Sequence, residues 1–401
     1  MKTIAVLGTL DSKGEEHGFV ADLIRKRGHA ALLIDVGSGG PPLIVPDITR
    51  EDVAAAAGLD LAPLVAKKDR GECVVAMSQA APVMVAKLAA EGKIDGIISL
   101  GGGGGTAIGT AAMRALPLGF PKLMVSTLAS GNTAHYLGTK DIVMMPSIAD
   151  VAGLNRLSRV IFSRAAGAIC GMVEAEIETA AAKPLVVASM FGNTTACVTE
   201  AKRIIEEAGY EVLVFAATGA GGRSMEALIE SGMVAGVLDI TTTEWADELA
   251  GGVLGAGPER LNAAAKAKVP AVIAPGCLDM VNFGEQVSVP SRYAERRFYI
   301  HNPQVTLMRT TAEECAELGR ILAEKTNAYT ARAAILIPRK AISVISAAGQ
   351  PFHDAAADEA LFGAIKKHSK LPLEEFELEI NDPAFARACA ERLLACMAAE
   401  N

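Results

Sequence analysis

Aromatic residues are scarce, at 4% of the 401-residue chain, with a single tryptophan. A surface that stacks unpaired bases needs aromatic rings in quantity, so that mode of nucleic-acid binding is excluded. Positive charge is not in excess either: 38 Lys and Arg against 46 Asp and Glu leave a formal net charge of −8. No long basic run offers the footprint that neutralises a phosphate backbone, and nucleic acid is not expected as a partner. The seven cysteines (Cys73, Cys170, Cys197, Cys277, Cys315, Cys389, Cys396) are odd in number and lack CxxC spacing. A disulfide framework and a structural zinc site are both excluded by that pattern, and a reducing cytoplasm is the expected location. An apolar strand begins at Ile4, which leaves no room for a secretory leader. No uninterrupted apolar stretch reaches the roughly 18 residues needed to cross a bilayer, so no membrane partner is expected.

What the chain does have is apolar material, 51% of residues, and abundant glycine, 39 in all. A chain of this length holds two ordinary domains more readily than one. Short runs rich in Val, Ile and Leu alternate with amphipathic segments, the pattern of parallel strands buried on both faces by crossover helices. Strands are predicted at 3–9, 30–36, 94–100, 121–127 and 141–146, and helices at 12–27, 48–58, 71–91, 104–115 and 150–178. A break at Thr179 to Lys183, just before Pro184, separates the expected domains, 1–180 and 184–401.

The second half repeats the opening of the first. Val6-Leu7-Gly8-Thr9, a helix, the strand Ala31 to Ile34 and the turn Gly37-Ser38-Gly39-Gly40 are echoed in the second half. The counterparts are Met190-Phe191-Gly192-Asn193, a helix, the strand Val212 to Phe215 and Gly219-Ala220-Gly221-Gly222. Two Rossmann-like, doubly wound parallel-sheet α/β domains related by an internal repeat account for this, with sites at the carboxyl ends of the strands. Further strands are predicted at 185–190, 234–240, 270–274, 298–300 and 333–337, and a last helix from Pro383.

Strand 94–100 runs directly into Gly101-Gly102-Gly103-Gly104-Gly105-Thr106. Five consecutive glycines destabilise any regular element. Bare backbone lets amides converge on phosphate oxygens, and a following helix adds its positive end to the same point. Thr106 is placed to cap that helix or bond a phosphate, and Gly109 lets the helix lie close to its neighbours. No Lys-Ser or Lys-Thr closes the run, so it is not a Walker A loop, and no Asp stands within it for phosphoryl transfer. Ser126, Thr127, Ser130, Gly131 and Asn132, at the end of the adjacent strand, are predicted to face the same crevice. Lys13, after the first strand, is the point charge available for a phosphate, and Asp35, near the end of the second, is placed to bond a ribose hydroxyl.

Together with the glycine run, three more segments carry a resemblance: Asp150-Val151-Ala152-Gly153-Leu154-Asn155-Arg156-Leu157-Ser158-Arg159, Ala274 to Gly284, and His301-Asn302-Pro303. In these the chain resembles the family of the ATP-binding region of the tomato mosaic virus resistance protein and its uncharacterised bacterial relatives, from Ile4 to about Leu394. The resemblance implies two Rossmann-like subdomains, ATP, with or without magnesium, in the first, and self-association as a homodimer or higher oligomer.

In the second half, ionisable residues gather at predicted strand ends, and His301, Asp279 and Cys277 are the candidates there for acid–base or nucleophilic chemistry on an unknown small-molecule substrate. Two also have a structural reading: His301 as a satisfied core histidine and Cys277 as a small buried hydrophobe. The leading expectation is an ATP-binding protein, with any reaction at the cleft between domains. A non-catalytic nucleotide-responsive regulator is the alternative within that reading. An NAD(P)-dependent oxidoreductase is the alternative from another class, although the six histidines show no metal-ligand spacing and GxGxxG is missing after the first strand.

Overall fold

The computed structural model describes residues 1–67, 69–177 and 183–398. The chain divides into two compact units, Met1–Glu178 and Thr179–Asn401. The expected break at 179–183 lies, apart from Lys183, outside the described residues.

The first unit is a five-stranded parallel sheet of β1 (Thr3–Gly8), β2 (Ala30–Asp35), β3 (Gly96–Gly101), β4 (Lys122–Ser126) and β5 (Val143–Pro146), in the order β2-β1-β3-β4-β5. Its helices are α1 (Leu10–Lys26), α2 (Arg50–Ala56), α3 (Ala62–Ala66), α4 (Arg70–Ala90), α5 (Gly103–Arg114), α6 (Ala134–Leu137) and α7 (Arg156–Glu174). Successive strand residues point to opposite faces. Ile4, Val6, Ile98 and Leu100 meet Val20, Ile24, Phe162 and Ile169 of α1 and α7. Ala5, Leu7, Ile97 and Met124 meet Met77, Val85, Ile108 and Ala112 of α4 and α5. Burial on both faces is why these strands read as continuous apolar runs.

The second unit contains β6 (Leu185–Met190), β7 (Glu211–Ala216), β8 (Val234–Thr241), β9 (Ala271–Gly276), β10 (Met280–Phe283), β11 (Phe298–Asn302), β12 (Val305–Arg309), β13 (Ala333–Pro338) and β14 (Leu373–Phe376). Its helices are α8 (Thr195–Glu207), α9 (Ala220–Glu230), α10 (Glu244–Ala250), α11 (Ala263–Ala267), α12 (Ala312–Thr326), α13 (Ala355–His368) and α14 (Pro383–Ala398). Six parallel strands lie in the order β14-β13-β9-β8-β6-β7. Read from the other edge, β7-β6-β8-β9-β13 repeats the second-first-third-fourth-fifth order of the first unit, with β14 added. The internal repeat is therefore a repeat of topology. Between β9 and β13 an antiparallel sheet, β10-β12-β11, is inserted.

Three departures from expectation have local causes. The helix expected over 150–178 starts only at Arg156, because Asn155 accepts the Leu157 and Ser158 amides as a cap and Gly153 stands at φ +81°; position 178 lies outside the described residues. β10, β12 and β14 were not predicted; they are four or five residues long, and Leu373-Glu374-Glu375-Phe376 alternates too little apolar surface to stand out. Among the described residues one helix, α4, is long and apolar enough to cross a membrane by length and composition; its Cys73, Met77, Ala80, Ala81, Val85 and Leu88 are buried in the first unit.

Candidate functional site

In the first unit β1 leads outward to β2 on one side while β3 opens the other. A strand order that reverses leaves a crevice at the carboxyl ends of the strands. Two cavities of about 520 and 750 Å³ lie there, sharing Thr9, Lys13, Arg70 and Gly105. Every strand end contributes: Thr9 after β1, Ser38 to Gly40 after β2, Gly102 to Gly105 after β3, Thr127 after β4, and Ile148 to Asp150 after β5.

Gly101 closes β3, Gly102 stands at the N-cap with extended dihedrals, and Gly103, Gly104 and Gly105 form the first turn of α5. The first amides of a helix have no partner within it. Thr106 is the first residue whose amide reaches back, to the Gly102 carbonyl at 2.8 Å. No side chain of the described residues caps α5. Every other helix of eleven residues or more takes a side-chain oxygen on an amide at its start. Asp35 serves α1, Asp69 α4, Asn155 α7, Asn381 α8, Glu244 α9, Thr311 α12, Asp354 α13 and Asp382 α14. The open start of α5 faces the crevice, with Gly102, Gly103, Gly104 and Gly105 in its wall.

Two cations share that wall. The Lys13 ammonium donates to the Val151 carbonyl, and Arg70, at the start of α4, is exposed. Two carboxylates line the same walls: Asp11, which accepts the Gly39 amide at 2.6 Å, and Asp150. Val65 and Val74 give the larger cavity an apolar side.

The structure assigns several predicted residues to other work. The Thr106 and Ser126 hydroxyls are fully buried and bonded to each other at 2.7 Å, joining α5 to the end of β4, so neither faces a ligand. One Asp35 oxygen accepts the Leu10 and Gly37 amides at 3.0 and 2.8 Å. This buried carboxylate braces α1 against β2, burial pushes its pKa up, and Asp11 takes the place beside the cavity. Ser130, Gly131 and Asn132 lie outside both cavity walls; Asn132 accepts the Ala134 amide at 3.1 Å, within the turn leading to α6. Thr127 and Lys13 do line the crevice. Arg70, Val65, Val74 and Ile148 were missed: they come from distant segments and carry no local pattern that marks them.

The second-unit trio is not brought together. Cys277 and Asp279 are fully buried in the β9–β10 turn. Asp279 accepts the Ser343 hydroxyl at 2.7 Å, its other oxygen has no partner among the described residues, and burial pushes its pKa up to about 6. Burial also holds the Cys277 thiol far from ionisation, the opposite of what a nucleophile needs. His301 is exposed on β11 beside Tyr299. The strand register sets Asp279 and Met280 near Arg309 and Arg297. His301 lies four residues further along β11, roughly 13 Å at the rise of an extended strand.

Two Rossmann-like sheets of one topology, the first with a crevice at its switch point, define a two-unit α/β protein. The chain belongs to the uncharacterised protein family UPF0261: residues 2–178 match its N-terminal domain and 183–397 its C-terminal domain. A UPF0261 protein of Clostridium tetani is 50% identical over 99% of both chains. The ToMV susceptible protein tm-1(GCR26) of Solanum lycopersicum is 35% identical over 97% of this chain and 55% of its own length. Among solved structures, the Streptomyces sp. SF2575 glycosyltransferase SsfS6, complexed with thymidine diphosphate, is 13% identical at a TM-score of 0.18, covering 98% of this chain and 100% of its own. The UDP-N-acetylglucosamine 2-epimerase of Rickettsia bellii is 10% identical at 0.23, covering 100% and 96%. Likeness at that level adds nothing to what the strand order gives.

Proposed function

We propose that the amino-terminal unit binds ATP, with or without magnesium, its phosphates on the amides of Gly103, Gly104 and Gly105. One observation carries the reading: α5 is the long helix whose start no side chain of the described residues caps, and it opens on a crevice. Unpartnered amides and the helix dipole favour an anion there, and Lys13 and Arg70 supply opposite charge without a carboxylate partner among the described residues. The adjoining cavity has room for a nucleoside, with Val65 and Val74 against the base and Asp11 and Ser38 near the sugar hydroxyls. In the second unit a glycine turn at a different strand end, after β7, holds an anion of the chain itself: the Glu244 carboxylate accepts the Gly219 and Gly222 amides at 2.7 and 3.1 Å. Self-association and a cytoplasmic setting belong to the same proposal, resting on the family resemblance and the scattered cysteines.

A ligand that binds the folded state raises the unfolding midpoint by mass action. ATP should raise it by several degrees at millimolar concentration while NAD and NADP leave it unchanged; the reverse ranking would replace this reading with the oxidoreductase one.

A further inference from the structure

His17 is wholly buried and lines neither cavity, yet its ring touches three of the elements that form the crevice. Nδ1 lies 2.7 Å from the Lys13 carbonyl oxygen and Nε2 lies 3.4 Å from the Leu100 amide nitrogen. Nδ1 faces a carbonyl, which can only accept, and Nε2 faces the Leu100 amide, which can only donate; the Leu7 carbonyl also interacts with the ring, but burial outweighs it and lowers the pKa, so the ring is neutral with its proton on Nδ1. Glycine at the end of β1 admits the ring: a Cβ on Gly8 would stand 2.0 Å from Nε2. The Lys13 carbonyl that the ring holds belongs to a break in α1, where Lys13 has φ −133° and ψ 27°. Leu100, the other partner, immediately precedes the glycine run.

Neighbouring groups fix the same break from the other side. Glu16, 2% exposed, accepts the Gly153 amide at 2.6 Å, and the Lys13 ammonium donates to Val151 in the same loop. We propose that His17 is a positioning residue for ligand binding: its neutral ring fastens the break at Lys13 to the end of β3, so that the Lys13 ammonium and the open amides of α5 face one volume. The inference rests on the nucleotide reading of the crevice.

Calorimetric titration with ATP, alongside unfolding of each variant, tests it on wild type, His17→Leu, His17→Asn, Lys13→Met and the double variant His17→Leu with Lys13→Met. Losing a bond that orients a charged contact weakens binding by about tenfold, which is expected for His17→Leu and for Lys13→Met. The double variant should lose little more than either, because two residues acting through one contact are not additive. His17→Asn, whose amide can donate to the Lys13 carbonyl as Nδ1 does, should recover most of the affinity. Wild-type affinity in His17→Leu, or losses that multiply to about a hundredfold in the double variant, would overturn the inference alone. A wild-type chain that takes up no ATP removes the nucleotide reading itself. If His17→Leu does not fold, His17→Asn should still bind ATP more tightly than His17→Gln, which reaches toward Leu100 and not Lys13; the opposite order overturns the inference.

Discussion

Thr106 looks in the sequence like a phosphate ligand and in the fold is a cross-link. Its hydroxyl meets Ser126 at 2.7 Å with no solvent on either side. Thr106→Val keeps the shape and leaves Ser126 with one partner fewer, so unfolding free energy should fall by about 1–2 kcal/mol while ATP affinity holds. Lost affinity at unchanged stability would return Thr106 to the ligand. Asp247 and Asp279 make a different prediction. Burial pushes their carboxyls up to about 7 and about 6, against about 3.9 in an unfolded chain. The folded state therefore keeps protons that the unfolded state has lost. That stability is complete below about pH 4, and each group loses up to about 1.4 kcal/mol per pH unit until the folded pKa is passed. Denaturant midpoints should fall from about pH 5 to about pH 7. Asp247→Asn should flatten the fall because an amide there takes up no proton; it is accommodated by donating to Asn282 Oδ1, which has no partner among the described residues, once the Asn282 amide turns over. An undiminished slope would remove Asp247 as its source.

At the scale of elements, most of the first unit was legible because doubly buried strands announce themselves as Val, Ile and Leu runs, and because glycine clusters fall where strands become helices. The strand-to-helix turn at the five-glycine run was legible, but the cap expected from Thr106 was not formed: Gly102 stands at the N-cap and no side chain of the described residues closes the first turn of α5. The short strands of the inserted sheet were not legible, nor was the exchange of roles between Asp35 and Asp11. Both depend on partners that tertiary packing chooses, such as the Leu10 amide 25 residues away from Asp35. His301 and Asp279 looked like one site for the same reason in reverse, since strand ends that neighbour each other in sequence lie at opposite ends of β11. The open start of α5 allows a direct probe of space. A Cβ on Gly103 meets nothing within 4 Å, so Gly103→Val should shift the unfolding midpoint by no more than about 2 °C while its side chain enters the crevice. ATP affinity should drop by about a hundredfold or more; titration with affinity intact would place the phosphates elsewhere.

Across the whole molecule one topology is used twice. In the second unit, Arg260 lies buried among Asp239, Glu244 and Glu226, and Glu244 fills the glycine turn at α9 from within. That turn follows β7, the counterpart of β2; the counterpart of α5 is α10, after β8, and among the described residues no side chain caps the start of either. A carboxylate can be supplied: Gly102 has extended dihedrals and room for a side chain, its nearest neighbour being the Thr127 hydroxyl at 3.7 Å from a Cβ. In Gly102→Asp the new side chain would cap the amides of the first turn, raising stability by about 0.5–2 kcal/mol while taking the place of a phosphate. Calorimetric titration of ATP into wild type and Gly102→Asp, with the unfolding midpoint of each, tests the central claim most directly. The account predicts ATP uptake by the wild type and a more stable variant that has lost it. A variant that binds ATP as tightly as the wild type would contradict it.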